Sequence, residues 1–574
     1  MAFQLSPGVL VQEKDLTAIV PSVATSAGAF AGAFQWGPVG EVTTVDSENN
    51  LVKYFGGPTD ATYTSFFTAA NFLAYGNNLK LVRVVNESVA TNAIANSSGT
   101  AVVIKNYDNF LNNYSAGGYS LGEFVAKYPG NLGNSLKVEV VDANTWNAYN
   151  GFPGNAWPYQ AQFDNAPGTS TYATTLAGNF DELHIIVVDE AGAWTGARNT
   201  ILEKYSYLSK ASDARNSDGS SNYYKDVINL QSEYVWSVDH PTAGTNWGTS
   251  ASGKTFANLS ANVSVSLSKG FSDDANVTAG NVIGGYDLFA NDELYDISLI
   301  PLGPWSNTAS VVSSVVAIAE DRKDCVVFIS PSFASVVNVP PSAQATNVVN
   351  FRNSSTTTGG INSSYVVMDS GWKYQYDRYN DNYRWVPLNG DVAGLCARTD
   401  NLAEPWFSPG GFNRGQIRNV VKLAFNPTKT DRDTLYKAGV NPVVAFPGQG
   451  TVLFGDKTML AKPSAFDRIN VRRLFIVLEK AIATASKFQL FEFNDPFTRA
   501  QFKNLVEPFL RDVQGRRGIS DFKVICDETN NTGDVIDRNE FRADIFIKPA
   551  RSINFISLTF VAARSGISFE EVGA

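Results

Sequence analysis

The clearest alternation of apolar and polar positions lies near the end of the chain. Between Asp467 and Lys487, the residues Val471, Leu474, Phe475, Leu478 and Ile482 recur at helical spacing. They predict one buried stripe, with Arg468, Arg472, Arg473, Glu479 and Lys480 on the surface. A second helix is predicted from Asp495, a natural N-cap, with Pro496 at the first helical position. Phe502, Leu505, Val506, Phe509 and Val513 supply its apolar face, and Pro508 inside it predicts a kink or an early end. Three strands follow: DFKVICD, FRADIFIKPA and NFISLTFVA. In the second, Phe541, Ala543, Ile545 and Ile547 alternate with Arg542, Asp544 and Lys548, the period of a half-buried strand.

Upstream the pattern is different. Residues 1–22 read as an extended arm, in which SPGVLVQEKD alternates Val9, Val11 and Glu13 after a Pro-Gly turn. Such an arm has no core of its own and must lie on its own domain or on a neighbour. From about Ser26 strands and helices alternate: GAFAGAFQWGPVG as a strand and turn, SENNLVKYFGG and TSFFTAANFLAYG as helices, LKLVRVV as a buried strand. SLKVEVVDA and LHIIVVDE read as strands and NTILEKYSYLSKASDA as a helix. YDISLIPLG, a helix over about 308–320, DCVVFISP and SYVVMDSGWKYQYD restore the alternation. Polar stretches near 90–125, 145–180 and 240–285 read as loop- or β-rich insertions. The expected fold class is therefore a multidomain α/β and α+β chain: an arm (1–22), an α/β region (23–400) and a C-terminal domain (401–574).

Composition narrows this picture. A chain of 574 residues is too long for one core, so two to four domains are expected. With 44% hydrophobic and 12% aromatic residues it is folded rather than disordered. Cys325, Cys396 and Cys526 are scattered and odd in number, which predicts buried thiols and no disulfide or zinc framework. No apolar run reaches the roughly 18 residues of a membrane span, and MAFQLSPGVL lacks a signal peptide's basic start and apolar run, so synthesis inside the cell is expected. The net charge of −10 argues against general nucleic-acid binding. It is uneven: from Asn413 onward there are 24 basic and 18 acidic residues, against 21 and 37 before it. That predicts either a basic C-terminal domain facing different surroundings from an acidic body, or a fluctuation spread over several domains.

Candidate chemistry is sparse. GQGTVLFGDKT approaches a phosphate-binding loop, but Asp456 separates Gly455 from Lys457 and would repel phosphate, so a plain turn is expected. DETNNTGDVIDRNE approaches a calcium loop, but alignment on Gly533 puts Asn539 where a bidentate Glu is required, so a loop between strands is expected. There are two histidines, and His184 lies in an apolar strand, so it is expected in the core. Catalytic, cofactor and metal residues are therefore none. The aromatic run from Trp372 to Pro387 suits either a hairpin with cross-strand ring pairs closed at Asn380-Asp381-Asn382, or a carbohydrate- or base-stacking surface.

The chain resembles the tail sheath proteins of contractile-tailed, T-even-type bacteriophages. The resemblance is carried by SPGVLVQEKD, FQWGPVGEVTTVDSENNLVKYFGGP, YPGNLGNSLKVEV, ILEKYSYLSKASDA, VPLNGDVAGLCARTD and EPWFSPGGFNRG. It continues through DRDTLYKAGVNPVVAFPGQGTVLFGDKT, RINVRRLFIVLEKAI, FEFNDPFTR and IKPARSINFISLTF. The polar insertions do not match clearly. The resemblance implies a structural subunit, not an enzyme, that polymerises with itself as hexameric rings around a tail tube and contracts to drive the tube through the host envelope. The domain built from both chain ends would be the inner one, with the insertions pointing outward. The implied partners are other copies, the tube, the baseplate and a tail terminator or neck protein, with no nucleic acid, no membrane span and no cofactor. The implied location is the virion, after assembly in the host cytoplasm. Strand exchange between subunits would use Pro7, Val9, Val11 and Glu13 at one end and Phe555, Ile556, Leu558, Phe560, Ile567 and Phe569 at the other. The links near 16–24 and 562–567, with Gly566, would be hinges, and Arg468, Arg472, Arg473 and Lys480 would face the tube. Two alternatives stay open: the sheath of a headless contractile injection machine, and a sheath whose outer domain also binds or degrades host glycans.

Overall fold

The strand Gly28–Gly32 (GAFAG) occupies the middle of a six-stranded sheet in the computed structural model, which describes residues 23–117, 120–147, 157–241, 245–356, 358–554 and 556–558. The strand order is Val366–Met368, Val326–Ile329, Leu299–Pro301, Gly28–Gly32, Leu79–Arg83, Val42–Val45, parallel except for the last edge strand. Ala29 and Ala31 face one layer, where they join the core with Val311, Val312 and Val315 of the helix Ala309–Arg322. Gly28 faces the Phe72 ring of the helix Tyr63–Leu73, where an added Cβ would lie 2.6 Å from it. Small residues at the sheet centre thus let helices pack closely. The helix Asn389–Leu402 is buried continuously from Asn389 to Ala397, and a Cβ at Gly390 would meet the Thr68 carbonyl oxygen at 2.4 Å.

Residues 85–275 form a β-rich insertion between the strands Leu79–Arg83 and Leu299–Pro301. Its main sheet is antiparallel, in the order Thr200–Ser209, Glu182–Asp189, Leu136–Asp142, Val263–Ser266. The strand Glu182–Asp189 is buried on both faces, by Leu183, Ile185 and Val187 on one side and Ile186 and Val188 on the other. His184 is in this core, as expected. Its Nε2 lies 3.0 Å from the Asn165 carbonyl and its Nδ1 accepts the Tyr207 N–H at 3.0 Å. Burial lowers its pKa, so the ring is neutral and donates from Nε2.

One element is of the other type from that expected. NTILEKYSYLSKASDA is not a helix: Thr200–Ser209 is a strand paired with Glu182–Asp189. Its run is rich in Thr, Ile and Tyr, and its neighbour is an apolar strand that needs a partner; pairing outweighs the helix tendency of Leu-Glu-Lys.

The described residues fall into two units. The larger holds 24–402 and 409–463; the smaller holds Val23, Ala403–Ser408 and the described residues from Ser464 on. The boundary is therefore not the expected one at 401. Residues 409–463 add the strand Lys422–Leu423 to the hairpin Trp372–Asp377/Asn382–Pro387, and Asn441 bridges Asp369 at the sheet edge. This moves the charge as well. Residues 409–463 carry eight basic and three acidic residues, whereas 464–574 carry 16 and 15. The basic surplus belongs to the larger unit.

The C-terminal ends of the parallel strands are filled by the protein's own polar groups. Ser330 donates to Asp369 Oδ2 at 2.6 Å, the Gly371 N–H donates to Asp369 Oδ1 at 2.9 Å, and Asn389 donates to the Gly303 carbonyl at 3.0 Å. Full burial pushes the Asp369 carboxyl up to about 8. The folded state therefore holds a proton that the unfolded chain releases near pH 4, and stability falls as pH rises from about 4 to about 8. At about 1.4 kcal/mol per pKa unit this is several kcal/mol. The variant Asp369→Asn is expected to lose that slope, whatever its offset at pH 4. Denaturation midpoints from pH 5 to pH 9 check it; equal slopes in both proteins refute it.

Candidate assembly interface

The smaller unit is built on two helices and a hairpin. The first helix, Ile469–Ser486, buries Val471, Leu474, Leu478 and Ile482 as the spacing predicts, while Phe475 is half-buried with its ring 4.8 Å from Phe466. The second, Pro496–Gly515, starts where expected: Asp495 accepts the Thr498 N–H at 2.8 Å, which satisfies one of the open N–H groups of the first turn. Pro508 does not shorten it; the helix continues to Gly515 with Pro508 on the exposed side. Leu474, Leu478, Phe502, Val506, Leu510 and Val513 pack with Trp406, and the Trp406 indole donates to the Arg516 carbonyl at 3.1 Å.

The basic residues of the first helix do not lie as the sequence predicts. Arg472 and Arg473 are 6% and 3% exposed, and the Arg472 guanidinium sits 4.1 Å over the Phe466 ring. The reason is geometric. The apolar stripe sets only the minimum buried width of a helix, and this one buries twelve of its 18 residues, Ile469, Asn470 and Ile476 included. Arg468 and Lys480 are partly exposed, and Arg468 Nε lies 3.5 Å from Asp467.

The strands Ile519–Ile525 and Asp544–Pro549 form an antiparallel hairpin, registered Phe522 to Ile547 and Val524 to Ile545. Ile519, Val524, Ile545 and Ile547 face the helices, while Phe546 points to solvent. Among the described residues this sheet has two strands and no third strand on either outer edge. The chain leaving it, from Arg551 to Leu558, has no strand among its described residues and exposes Ile553, Ile556 and Leu558. The expected strand NFISLTFVA is therefore not seen over its described part. Phe555, Phe560, Gly566, Ile567 and Phe569 lie outside the described residues, as do Pro7, Val9, Val11 and Glu13.

The rejected chemical motifs are a hairpin turn and a loop that carries the short helix Gly533–Asp537. GQGTVLFGDKT supplies the turn and the second strand of the hairpin Val443–Phe446/Gly450–Leu453, and Asp456 accepts the Tyr436 hydroxyl at 3.0 Å while Lys457 Nζ donates to the Tyr436 carbonyl at 2.7 Å. In the 527–540 loop, buried Asn531 donates to the Arg542 carbonyl at 2.7 Å and braces the second hairpin strand. Among the described residues no group of three His, Cys, Asp or Glu is placed to hold a metal, and no helix is long and apolar enough to cross a membrane. The aromatic run is the expected hairpin, with Tyr374 and Trp385 centroids 4.7 Å apart and Asp381 in the turn at φ 47°. Lys422 Nζ sits 4.9 Å from the Tyr374 centroid and 5.6 Å from that of Trp385, so these ring faces carry a cation of the chain itself.

The chain is similar to known proteins over nearly its whole length. The phage tail sheath protein central domain matches residues 276–459, the phage tail sheath C-terminal domain matches 461–563, and the tail sheath protein Gp18 domain III N-terminal region matches 28–84. The tail sheath protein of Vibrio phage KVP40 is 35% identical over 99% of each chain, and that of Enterobacteria phage T4 is 34% identical over 99% of each. Among solved structures, a sheath tail protein from Desulfitobacterium hafniense shares the fold with a TM-score of 0.52 at 13% identity, over 94% of this chain and 100% of that one. A sheath tail protein from Listeria innocua gives 0.52 at 13% identity, over 92% and 96%. Full-length identity of about a third to phage tail sheaths, joined to the sheath domains matched at 276–459 and 461–563, shows that the chain belongs to the tail sheath protein family of T4-like contractile phages.

Proposed function

We propose that this sheath subunit polymerises by strand exchange around its C-terminal hairpin. The observation that carries the reading is the sheet Ile519–Ile525/Asp544–Pro549, which among the described residues has two strands and no third, with Phe546 exposed. A two-stranded hairpin is marginal in water and templates further strands. The donors are the alternating arm Pro7–Asp15 of one copy and the segment Phe555–Glu571 of another, each supplying backbone pairing along a free edge. A contact of this kind joins different surfaces and does not close, so it propagates: rings of six stack into a helical cylinder around the tail tube.

Contraction then needs no catalysis. Subunits rotate and move outward as near-rigid bodies once the baseplate releases the first ring, while the exchanged strands keep them joined and the links near 16–24 and 562–567 absorb the motion. A terminator protein closes the far end. Arg468 and Lys480, partly exposed on the first helix, are the remaining candidates for weak charged contacts to the tube. Because the relatives at 34–35% identity are phage proteins, a phage virion is favoured over a headless injection machine.

Electron microscopy of the purified chain tests the proposal. The full chain is expected to form hollow tubular polymers, and chains lacking residues 1–15 or ending at Ala550 are expected to remain soluble subunits. Normal polymers from either truncated chain would remove strand exchange as the mechanism.

A further inference from the structure

In the main sheet of the insertion, the outer strand Thr200–Ser209 loses its register opposite one residue. Its Leu208 pairs with Leu183 and its Tyr205 with Ile185, so Ser206 and Tyr207 together stand opposite the single His184. Two residues against one make a β-bulge. Tyr207 holds a left-handed backbone there, φ 54°, which a bulky side chain adopts only at a cost. Its N–H donates to the His184 side chain, at Nδ1, 3.0 Å away. His184 Nε2 donates to the Asn165 carbonyl at 3.0 Å, and the Tyr207 hydroxyl donates to the same carbonyl at 3.3 Å and accepts the Asn165 N–H at 3.1 Å. An imidazole thus closes the ladder across the bulge.

The ring is fully buried and clamped. Phe163 lies nearly parallel to it at 4.3 Å, and Tyr207 and Trp146 meet it edge to face at 4.6 Å and 5.6 Å. The charged groups around it are engaged elsewhere. Lys204, on the same outer strand, donates from Nζ to the Gln162 carbonyl at 2.9 Å. Glu182, two residues back on the ring's own strand, accepts the Gly168 N–H at 2.9 Å. Glu139, on the other neighbouring strand, accepts the Trp157 indole at 2.7 Å and pairs with Lys137 at 2.8 Å. Asp164, beside Phe163, points to solvent. Both bonded ring nitrogens face backbone groups, so no carboxylate is in contact to hold an imidazolium.

We propose that the neutral His184 ring is a latch on the outer edge of the insertion, and that its protonation opens that edge at Ser206–Leu208. A proton on Nδ1 turns the only acceptor for the Tyr207 N–H into a second donor facing it. The bond is lost, and with it the contact that holds the left-handed Tyr207 in place. Burial and the nearby Lys204 hold the ring's pKa below its ordinary value near 6.5. The folded edge therefore resists a proton that the opened edge accepts. The latch is fully closed above about pH 6.5 and weakens as pH falls below it, by up to about tenfold in opening per pH unit. Its atoms all lie in the insertion, so it is independent of strand exchange at the chain ends.

Amide hydrogen exchange of the dilute full-length chain tests it, read as protection factors corrected for the intrinsic pH dependence of exchange. Between pH 7.5 and pH 5.0, protection at Ser206–Leu208 is expected to fall at least tenfold, while Leu79–Arg83 in the six-stranded sheet stays unchanged. His184→Asn keeps an acceptor near the Nδ1 position but cannot titrate, so its protection at Ser206–Leu208 should be the same at both pH values. His184→Phe has no acceptor and should be poorly protected at both. Equal protection of the unmodified chain at the two pH values overturns the proposal. So does a fall in the Asn variant as large as in the unmodified chain, or a Phe variant as well protected at pH 7.5 as the unmodified chain.

Discussion

Replacing Arg83 with methionine is expected to lower the stability of the larger unit by about 3–5 kcal/mol. Arg83 ends the strand Leu79–Arg83 and is fully buried. Its Nε donates to the Phe34 carbonyl at 2.7 Å, Nη1 to the Gly37 carbonyl at 2.9 Å and Nη2 to the Pro129 carbonyl at 2.8 Å. One guanidinium therefore joins the turn after the central strand to the turn that opens the inserted sheet. Burial pulls its pKa down to about 10, which leaves it charged at neutral pH, where each hydrogen bond is charge-assisted. Methionine fills similar space but leaves three carbonyls unpaired. Lysine has one short-range cation and cannot span both turns, so Arg83→Lys should lose most of the same stability. Nine of the ten tryptophans lie in the larger unit, so tryptophan fluorescence during chemical denaturation reads its unfolding. Amide exchange should rise together at 34–37 and 129–131. An unchanged midpoint, or exchange rising at one turn alone, would contradict the bridging role.

The second large effect is expected at the buried pair Lys373–Asp391, whose charged atoms lie 2.8 Å apart with essentially no exposure. Lys373 also donates to the Arg418 carbonyl at 2.9 Å, the Tyr75 hydroxyl donates to Asp391 at 2.9 Å, and the Arg418 N–H donates to that hydroxyl at 2.7 Å. Burial pushes Asp391 up and Lys373 down, toward a neutral pair, and each partner's charge opposes that drift. Asp391→Leu strands a buried ammonium and should cost about 3–5 kcal/mol; Lys373→Met/Asp391→Leu removes both charges and should recover much of it. A double variant no more stable than the single one, by the same denaturation midpoint, would show that the pair stabilises in its own right. This network also explains why residues 409–463 belong to the larger unit: Arg418 lies in that segment and its backbone is bonded on both sides to the helical layer and the aromatic hairpin.

Much of the local structure was legible because period and caps are local properties. The strands Gly28–Gly32, Leu79–Arg83 and Val326–Ile329, the helix Ala309–Arg322, and the start of Pro496–Gly515 at Asp495 all follow from neighbours a few residues away. Thr200–Ser209 was not legible, because its state depends on a strand that lies beside it only in the fold. Arg83 left a faint signal, a lone arginine in an apolar run, but nothing local announces three carbonyls from distant turns.

The sequence by itself determined the family, through ordered stretches spread along the chain, and it determined the two helices and paired strands of the C-terminal region. It also withheld the residue supply for histidine- or cysteine-based chemistry. Only the tertiary structure decided which parts of those helices are surface. Arg472 and Arg473 read as solvent-facing because hydrophobic period records one contact face, while burial sums the contacts from every side. It likewise decided that the basic surplus belongs with residues 409–463, since charge is counted along the chain but units are defined by packing across it. And it showed a hairpin that has two strands and no third among the described residues, because whether a strand has neighbours on both sides is a property of the fold that no single strand's pattern contains.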